Sequence, residues 1–427
     1  MKKILVLGSD YGTREIVQEA HKMGLYVVVA DWLETTPTKE LADEKWLVST
    51  TDIDSIEKKC LENNICAIIT GASDFNISNM RKICKRLNLP MYCEDDGAWE
   101  VSTNKRLFKD LCKKVGARIA EDYVLDKNLK KEDLQNIKYP VVVKPVDKSG
   151  NRGMSYCKNE KDLIEAYKYA GEISSNPTII VERELQGPDF CANYVIADGK
   201  VSMLYFSAEH NQPGQKHNLY SIIYTTSFEL KRYLEEMDEK VKEVFVKAGC
   251  RNGIAWVETI LDKDGHFYLL EMGHRYGGEM TYVPYEKVSG FNSIKWMLEC
   301  QLGIKHTELD LHKMPNIAYT SCAASSYLFL NPAGAVAKFD GIEKLTSIPD
   351  IFLDLPKRVG AKCVKGGSLG IIRIYSKNCE ELCDKIALIN ETLNVEDAEG
   401  NELIIKFDDY KTLINEYRNG LREFGQL

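Results

Sequence analysis

Between Gly253 and Arg275 the chain reads Gly-Ile-Ala-Trp-Val-Glu-Thr-Ile-Leu-Asp-Lys-Asp-Gly-His-Phe-Tyr-Leu-Leu-Glu-Met-Gly-His-Arg, two apolar runs around Asp264-Gly265. An Asp-Gly step between strand-like runs signals a β-hairpin, because its residues accept the left-handed backbone that a two-residue turn demands. With that turn Lys263 pairs with His266, and counting outward places Glu258 directly across from Glu271. A four-residue loop would move the acids to a diagonal but keep them on one face. Carboxylates about 5 Å apart repel by roughly 3 kcal/mol at an effective dielectric of about 20. Their neighbours are mostly apolar, so a counter-charge must come from elsewhere. Magnesium takes one or two carboxylates and fills its octahedron with water and phosphate oxygens. The alternative is a structural ion pair with Arg275 or a lysine. For either glutamate alone the ion pair is the simpler reading, and for the two together the metal is favoured.

The surrounding chain changes rhythm twice. Residues 1–100 alternate short apolar runs (Ile4 to Leu7, Tyr26 to Ala30, Trp46 to Val48, Ala67 to Thr70) with helical patterns, which predicts βαβ units and a parallel sheet. From residue 141 strands come in pairs, with Ala197-Asp198-Gly199-Lys200 turning one hairpin. After about residue 315, Gly334, Gly341, Gly360, Gly366, Gly367 and Gly370 punctuate short strands before a helix-rich tail. The expectation is therefore α/β and α+β architecture in three regions: a βαβ domain over 1–100, a central domain over 101–314 with a mobile lid near 118–190, and a closing domain over 315–427.

Four further segments bear on chemistry. Lys144 ends an all-valine strand and precedes Pro145-Val-Asp-Lys-Ser-Gly-Asn-Arg-Gly, where Ser149, Gly150 and Gly153 would let backbone N–H groups approach phosphate oxygens. A lysine snorkelling from a sheet edge is the alternative. Lys105 follows the helix-start signal Ser102-Thr103-Asn104 and by itself reads as a first-turn surface residue. In Ile179-Ile-Val-Glu182-Arg183-Glu-Leu185-Gln-Gly-Pro-Asp189 the strand delivers Glu182 and then turns, leaving backbone near Leu185 for a planar base. The polar stretch Glu209 to His217, with His210 and His217, is either a substrate-contacting or a solvated loop. At the front, Gly8-Ser-Asp-Tyr-Gly12-Thr and Asp31 form an incomplete dinucleotide fingerprint, since Asp10 stands where a pyrophosphate would approach.

Composition removes other classes. A formal net charge of -8 argues against nucleic acid, and no apolar run is long enough to span a bilayer. The 13 cysteines, an odd number without Cys-x-x-Cys spacing, read as reduced thiols of a cytoplasmic protein, and Cys379 with Cys383 is a weak metal motif.

Taken together, Lys105, the Lys144-Pro145 loop, the Glu182 segment, the Glu258 and Glu271 hairpin and the glycine-rich end resemble, in order and spacing, the ATP-grasp superfamily of carboxylate-amine ligases. The resemblance spans roughly the whole chain. It implies ATP and Mg²⁺, with Mn²⁺ as a substitute. Lys105 and Lys144 would hold phosphates under the loop 147–154. Glu182, Arg183 and the Leu185 backbone would take the adenine end, and Asp189 the ribose. Glu258 and Glu271 would bind metal, and Arg275, with Glu271 and Lys144, would form the catalytic set. The implied partners are a small acid and an amine, with a homodimer compatible. One departure stands out: many members carry Asn two residues after the second glutamate, where this chain has Gly273. Water or His274 would then complete the coordination. The run Glu271-Met-Gly-His-Arg-Tyr-Gly-Gly is similar to amino-acid (dipeptide) ligases and purine-synthesis ligases, which points to an amino acid as substrate. The rivals are an oxidoreductase using the front region and a nucleotide-binding protein without turnover.

Overall fold

A computed structural model describes residues 1–425 apart from 126–127, 149–151, 212–220, 225–228 and 313–320. Four parallel strands open the chain: β1 (Lys3–Leu7), β2 (Tyr26–Asp31), β3 (Glu44–Leu47) and β4 (Ile65–Ile69), in the order β3-β2-β1-β4. β1, β2 and β4 are almost wholly apolar because helices cover them, among them Thr13–Lys22 and Asp74–Leu87. The front turn is occupied by the protein's own side chains. A Cβ on Gly12 would lie 2.2 Å from the Tyr282 hydroxyl, and Asn76 donates to Asp10 at 3.1 Å. That packing fills the turn with the protein's own side chains and counts against the dinucleotide reading.

A small antiparallel sheet follows, β5 (Asp122–Tyr123), β6 (Val141–Pro145), β7 (Ser155–Cys157) and β8 (Ile179–Arg183), ordered β5-β8-β6-β7 over its own apolar core. Most of the remaining strands form one eight-stranded antiparallel sheet, beside two short two-stranded ribbons, Gly334–Ala335 with Lys362–Cys363 and Lys338–Asp340 with Asn394–Glu396. The eight-stranded sheet contains β9 (Asp189–Ala197), β10 (Lys200–His210), β11 (Ser221–Tyr224), β12 (Gly253–Leu261), β13 (Phe267–Gly273) and β14 (Cys322–Phe329) in the order β13-β12-β9-β10-β11-β14. The strands Ser368–Ser376 and Ile351–Asp354 extend it, so this sheet runs without a break across residue 315.

Alternation sorts the faces of this sheet. Phe190, Ala192, Tyr194, Phe206, Val257 and Phe267 point into a core closed by the helix Glu239–Ala248, where Phe190 stacks on Phe206 at 4.9 Å between centroids. Their alternates, Asp189, Cys191, Glu209, Glu258 and Glu271, share the other face through the β12-β9 and β9-β10 registers. Cys379 and Cys383 lie in an apolar cluster with Cys322, and among the described residues no group of three or more His, Cys, Asp or Glu side chains forms a metal cage. No described helix is long and apolar enough to cross a membrane.

Candidate active site

Glu258 is the register partner of Glu271, by a different route from the one the two-residue turn predicts. The loop holds three residues, Lys263, Asp264 and Gly265, closed by the Asp262 N–H donating to the His266 carbonyl at 2.9 Å. Leu261 therefore pairs with Phe267, a register that continued would set Glu258 against Leu270 and turn Glu271 to the far face. A β-bulge between Glu258 and Thr259 leaves Leu270 unpaired and restores the pairing of the two acids.

The two carboxylates differ in environment. Glu271 pairs with Lys105. Burial opposes its ionisation, but Lys105, aided by Lys144 and Arg275, outweighs burial and holds the carboxyl below its ordinary value. Glu258 is pushed well up by burial, with the charges of Glu271 and Glu279 adding to the rise. Burial likewise raises Glu209 well above its ordinary range, reinforced by Glu258 and Glu279, and lifts Asp189 to about 6. One wall is thus short of positive charge, and its donors are hard oxygens. Two carboxylates on neighbouring strands leave most of an octahedral shell to water and phosphate, so they suit a magnesium ion that arrives with a nucleotide.

Lys105 begins the helix Lys105–Val115, whose first turn is capped by the Asn104 side chain accepting from the Arg106 and Leu107 amides at 3.0 and 3.3 Å. That cap directs Lys105 inward, where its ammonium also donates to the Lys148 carbonyl at 3.1 Å. Lys144 is buried and meets Glu182 at 2.5 Å, and Lys109 meets the other oxygen of Glu182 at 2.5 Å. Burial works against the Glu182 charge, yet the two ammoniums outweigh it and hold the carboxyl at about 2. The Glu182 carboxylate is therefore engaged by lysines, and the free hydrogen-bonding groups nearby belong to the backbone. The amides of Arg183, Glu184, Gln186 and Lys263 donate to Glu121, Pro140, Asp262 and Gln186, which leaves the Leu185 peptide groups without an internal partner among the described residues. The Arg183 guanidinium turns to Asp262, at 2.8 Å, and to the Tyr268 ring. Ser149 and Gly150 lie outside the described residues, as does His217, while Gly153 lies within them. Just before that loop, Asp147 accepts from the Ser174 hydroxyl at 2.6 Å and the Ser175 amide at 2.9 Å. His210 meets Glu416 of the helix Tyr410–Glu423 at 2.5 Å.

Arg275 and Gly273 form a unit with residues that the motif reading overlooked. A Cβ on Gly273 would lie 2.3 Å from Trp256 ring atoms, so the indole occupies the space a side chain at 273 would need. The Arg275 guanidinium lies 5.0 Å from the Trp256 ring centroid. It is gripped by Asp74, with Nη2 to Oδ2 at 3.1 Å, and donates to the Tyr276 carbonyl at 2.8 Å. His274 does not reach the metal wall: it is 1% exposed, bonds the Asn252 carbonyl at 2.8 Å, and burial lowers its imidazole to about 4. Lys105, Lys148, Arg152, Trp256, Glu271 and Arg275 line one cavity of about 390 Å³. Of the overlooked residues, Lys109 stands one helical turn after Lys105, and Asp74 follows the capping Ser73, a visible helix-start signal. Trp256 carried no local signal.

Comparison with known proteins adds to this geometry. Residues 104–309 match the family model described as carbamoyl-phosphate synthase L chain, ATP binding domain. A formate-dependent phosphoribosylglycinamide formyltransferase of Prochlorococcus marinus is 27% identical over 179 residues, 40% of this chain and 43% of its own. The carbamoyl phosphate synthase large chain of Clostridium botulinum is 23% identical over 333 residues, 72% of this chain but 30% of its own, so this chain spans less than half of either relative. Among solved structures, an L-amino acid ligase from Bacillus licheniformis superposes with a TM-score of 0.77 at 20% identity, covering 93% of this chain and 99% of that one. The biotin carboxylase domain of the 2-oxoglutarate carboxylase from Hydrogenobacter thermophilus, solved with MgADP and bicarbonate, gives 0.74 at 17% identity, covering 99% and 97%.

Proposed function

We propose that this chain, which has the fold of the ATP-grasp proteins, is an ATP-dependent ligase that activates a small carboxylic acid, of the amino-acid class, and joins it to an amine. The observation that carries the reading is the register pairing of Glu258 with Glu271, where Glu271 meets Lys105 and both of these line a cavity with Lys148, Arg152 and Arg275.

In this reading the Leu185 backbone receives the adenine edge, and Asp189 the ribose. Lys144, steadied by Glu182, and Lys105 reach the phosphates. Glu258 and Glu271 would hold magnesium, which would supply the neutralisation of phosphate charge that phosphoryl transfer mainly requires. A carboxylate oxygen of the acid attacks the γ-phosphorus, the bond to the β-phosphate oxygen breaks, and ADP leaves. An amine nitrogen then attacks the acyl carbon, phosphate departs, and the amine loses a proton as the amide forms. The small β5–β8 sheet shields the acyl phosphate from water. Glu209 and Glu279, which lie beside the metal ligands, favour substrates that carry an ammonium group.

The test is ADP release over pools of acids and amines, with Glu271→Gln as control. The variant should lose at least about 100-fold in rate, roughly 2.7 kcal/mol of transition-state stabilisation. An undiminished rate would end the metal assignment. Trp256 packed over Gly273 favours one second reading, a nucleotide-binding protein without turnover. That reading requires MgADP binding with no ADP release from any pool.

A further inference from the structure

We infer that Asp74 and Trp256 are positioning residues that set Arg275 as a phosphoryl-facing cation; this rests on the ligase reading above. Arg275 has an 11% exposed side chain and is held on three sides. Asp74 takes Nε and Nη2 in a two-pronged contact, the second prong at 3.1 Å. The Tyr276 carbonyl takes Nη1 at 2.8 Å. Trp256 supports the flat face at 5.0 Å. A guanidinium so bound keeps one unused N–H on each terminal nitrogen, which is the fork that recognises a phosphate or carboxylate. The same side chain lines the cavity with Lys105, Lys148 and Arg152.

Each element of the clamp has a reason. Asp74 is the first residue of the helix Asp74–Leu87, so it reaches Arg275 from the parallel-sheet unit and not from the hairpin. The other carboxylates acting on Arg275 are Glu279 and Glu271. Without Asp74 the arginine would turn to those two and neutralise the metal wall, so Asp74 keeps cation and metal ligands apart. Trp256 can lie beneath the guanidinium because residue 273 is glycine. Gly273 thus exchanges a potential side-chain ligand for a shelf that orients the arginine.

The experiment is calorimetric titration of MgADP, followed by inorganic phosphate titrated onto the MgADP complex, with wild type, Asp74→Asn, Asp74→Glu, Arg275→Lys and the Asp74→Asn/Arg275→Lys double variant. MgADP affinity should stay within about threefold throughout, while Asp74→Asn and Arg275→Lys each weaken phosphate by about tenfold or more. The double variant should be no weaker than the worse single one, and Asp74→Glu should recover most of the loss, because residues acting as one unit are not additive. Wild-type phosphate affinity in Asp74→Asn, or effects that multiply, overturns the inference alone. Failure of the wild type to bind MgADP overturns the ligase reading beneath it. Should Asp74→Asn fail to fold, Trp256→Leu leaves the ion pair intact and must show the same loss of phosphate with MgADP retained. Full phosphate affinity in that variant refutes the shelf.

Discussion

Replacing Glu182 with glutamine tests a deeply buried charge of the site. The carboxylate meets Lys144 and Lys109 at 2.5 Å each, and none of the three side chains is more than 10% exposed. Its carboxyl is held at about 2 against an ordinary 4.5, burial opposing the charge and the two ammoniums prevailing. At about 1.36 kcal/mol per pH unit, that interval is worth about 3 kcal/mol of stability. Since the folded-state value is the lower one, the contribution is complete above pH 4.5 and is lost as the pH falls towards 2. Glutamine leaves two buried ammoniums without a counter-charge, and breaking a buried pair in this way costs about 3–5 kcal/mol. Urea unfolding followed by circular dichroism should show that loss at neutral pH. The variant should also lose less further stability than wild type on acidification below pH 4.5. A loss under about 1 kcal/mol at neutral pH, or an acid limb identical to wild type, would refute the account of Glu182 as the charge that fixes both lysines.

Other consequences can be measured separately. Gly273→Asn should destabilise by about 2 kcal/mol or more, because its Cβ meets the Trp256 ring; adding Trp256→Ala should restore part of that loss in thermal unfolding. Asp189→Asn should raise stability at neutral pH by about 1–3 kcal/mol, since burial lifts the carboxyl to about 6 and its ionised form disfavours folding above that pH; calorimetry should show weaker MgADP binding in the same variant. His274, lowered to about 4 by burial, contributes stability that is complete above pH 6.5 and lost as the pH falls towards 4; His274→Gln should flatten the unfolding midpoint across that window.

Much of the site was legible because it depends on neighbours along the chain. Alternation within β9, β10 and β12 separates core from cleft, a lysine ends the valine strand β6, and Asn104 announces the helix that aims Lys105. The hairpin shows how far such rules reach: the turn and the register beside it were both misread by one residue, and the bulge at Leu270 cancelled the error.

The sequence by itself determined the parallel front sheet, the paired strands and the presence of two acids on one face, since backbone periodicity and turn chemistry act over a few residues. Only the tertiary structure decided that Asp74 grips Arg275 across 201 positions, that Lys109 shares Glu182 with Lys144, and that one sheet crosses residue 315. Those pairings arise when buried charges find partners and sheet edges are covered, and such partners can come from any element the topology brings near. No spacing rule contains that information.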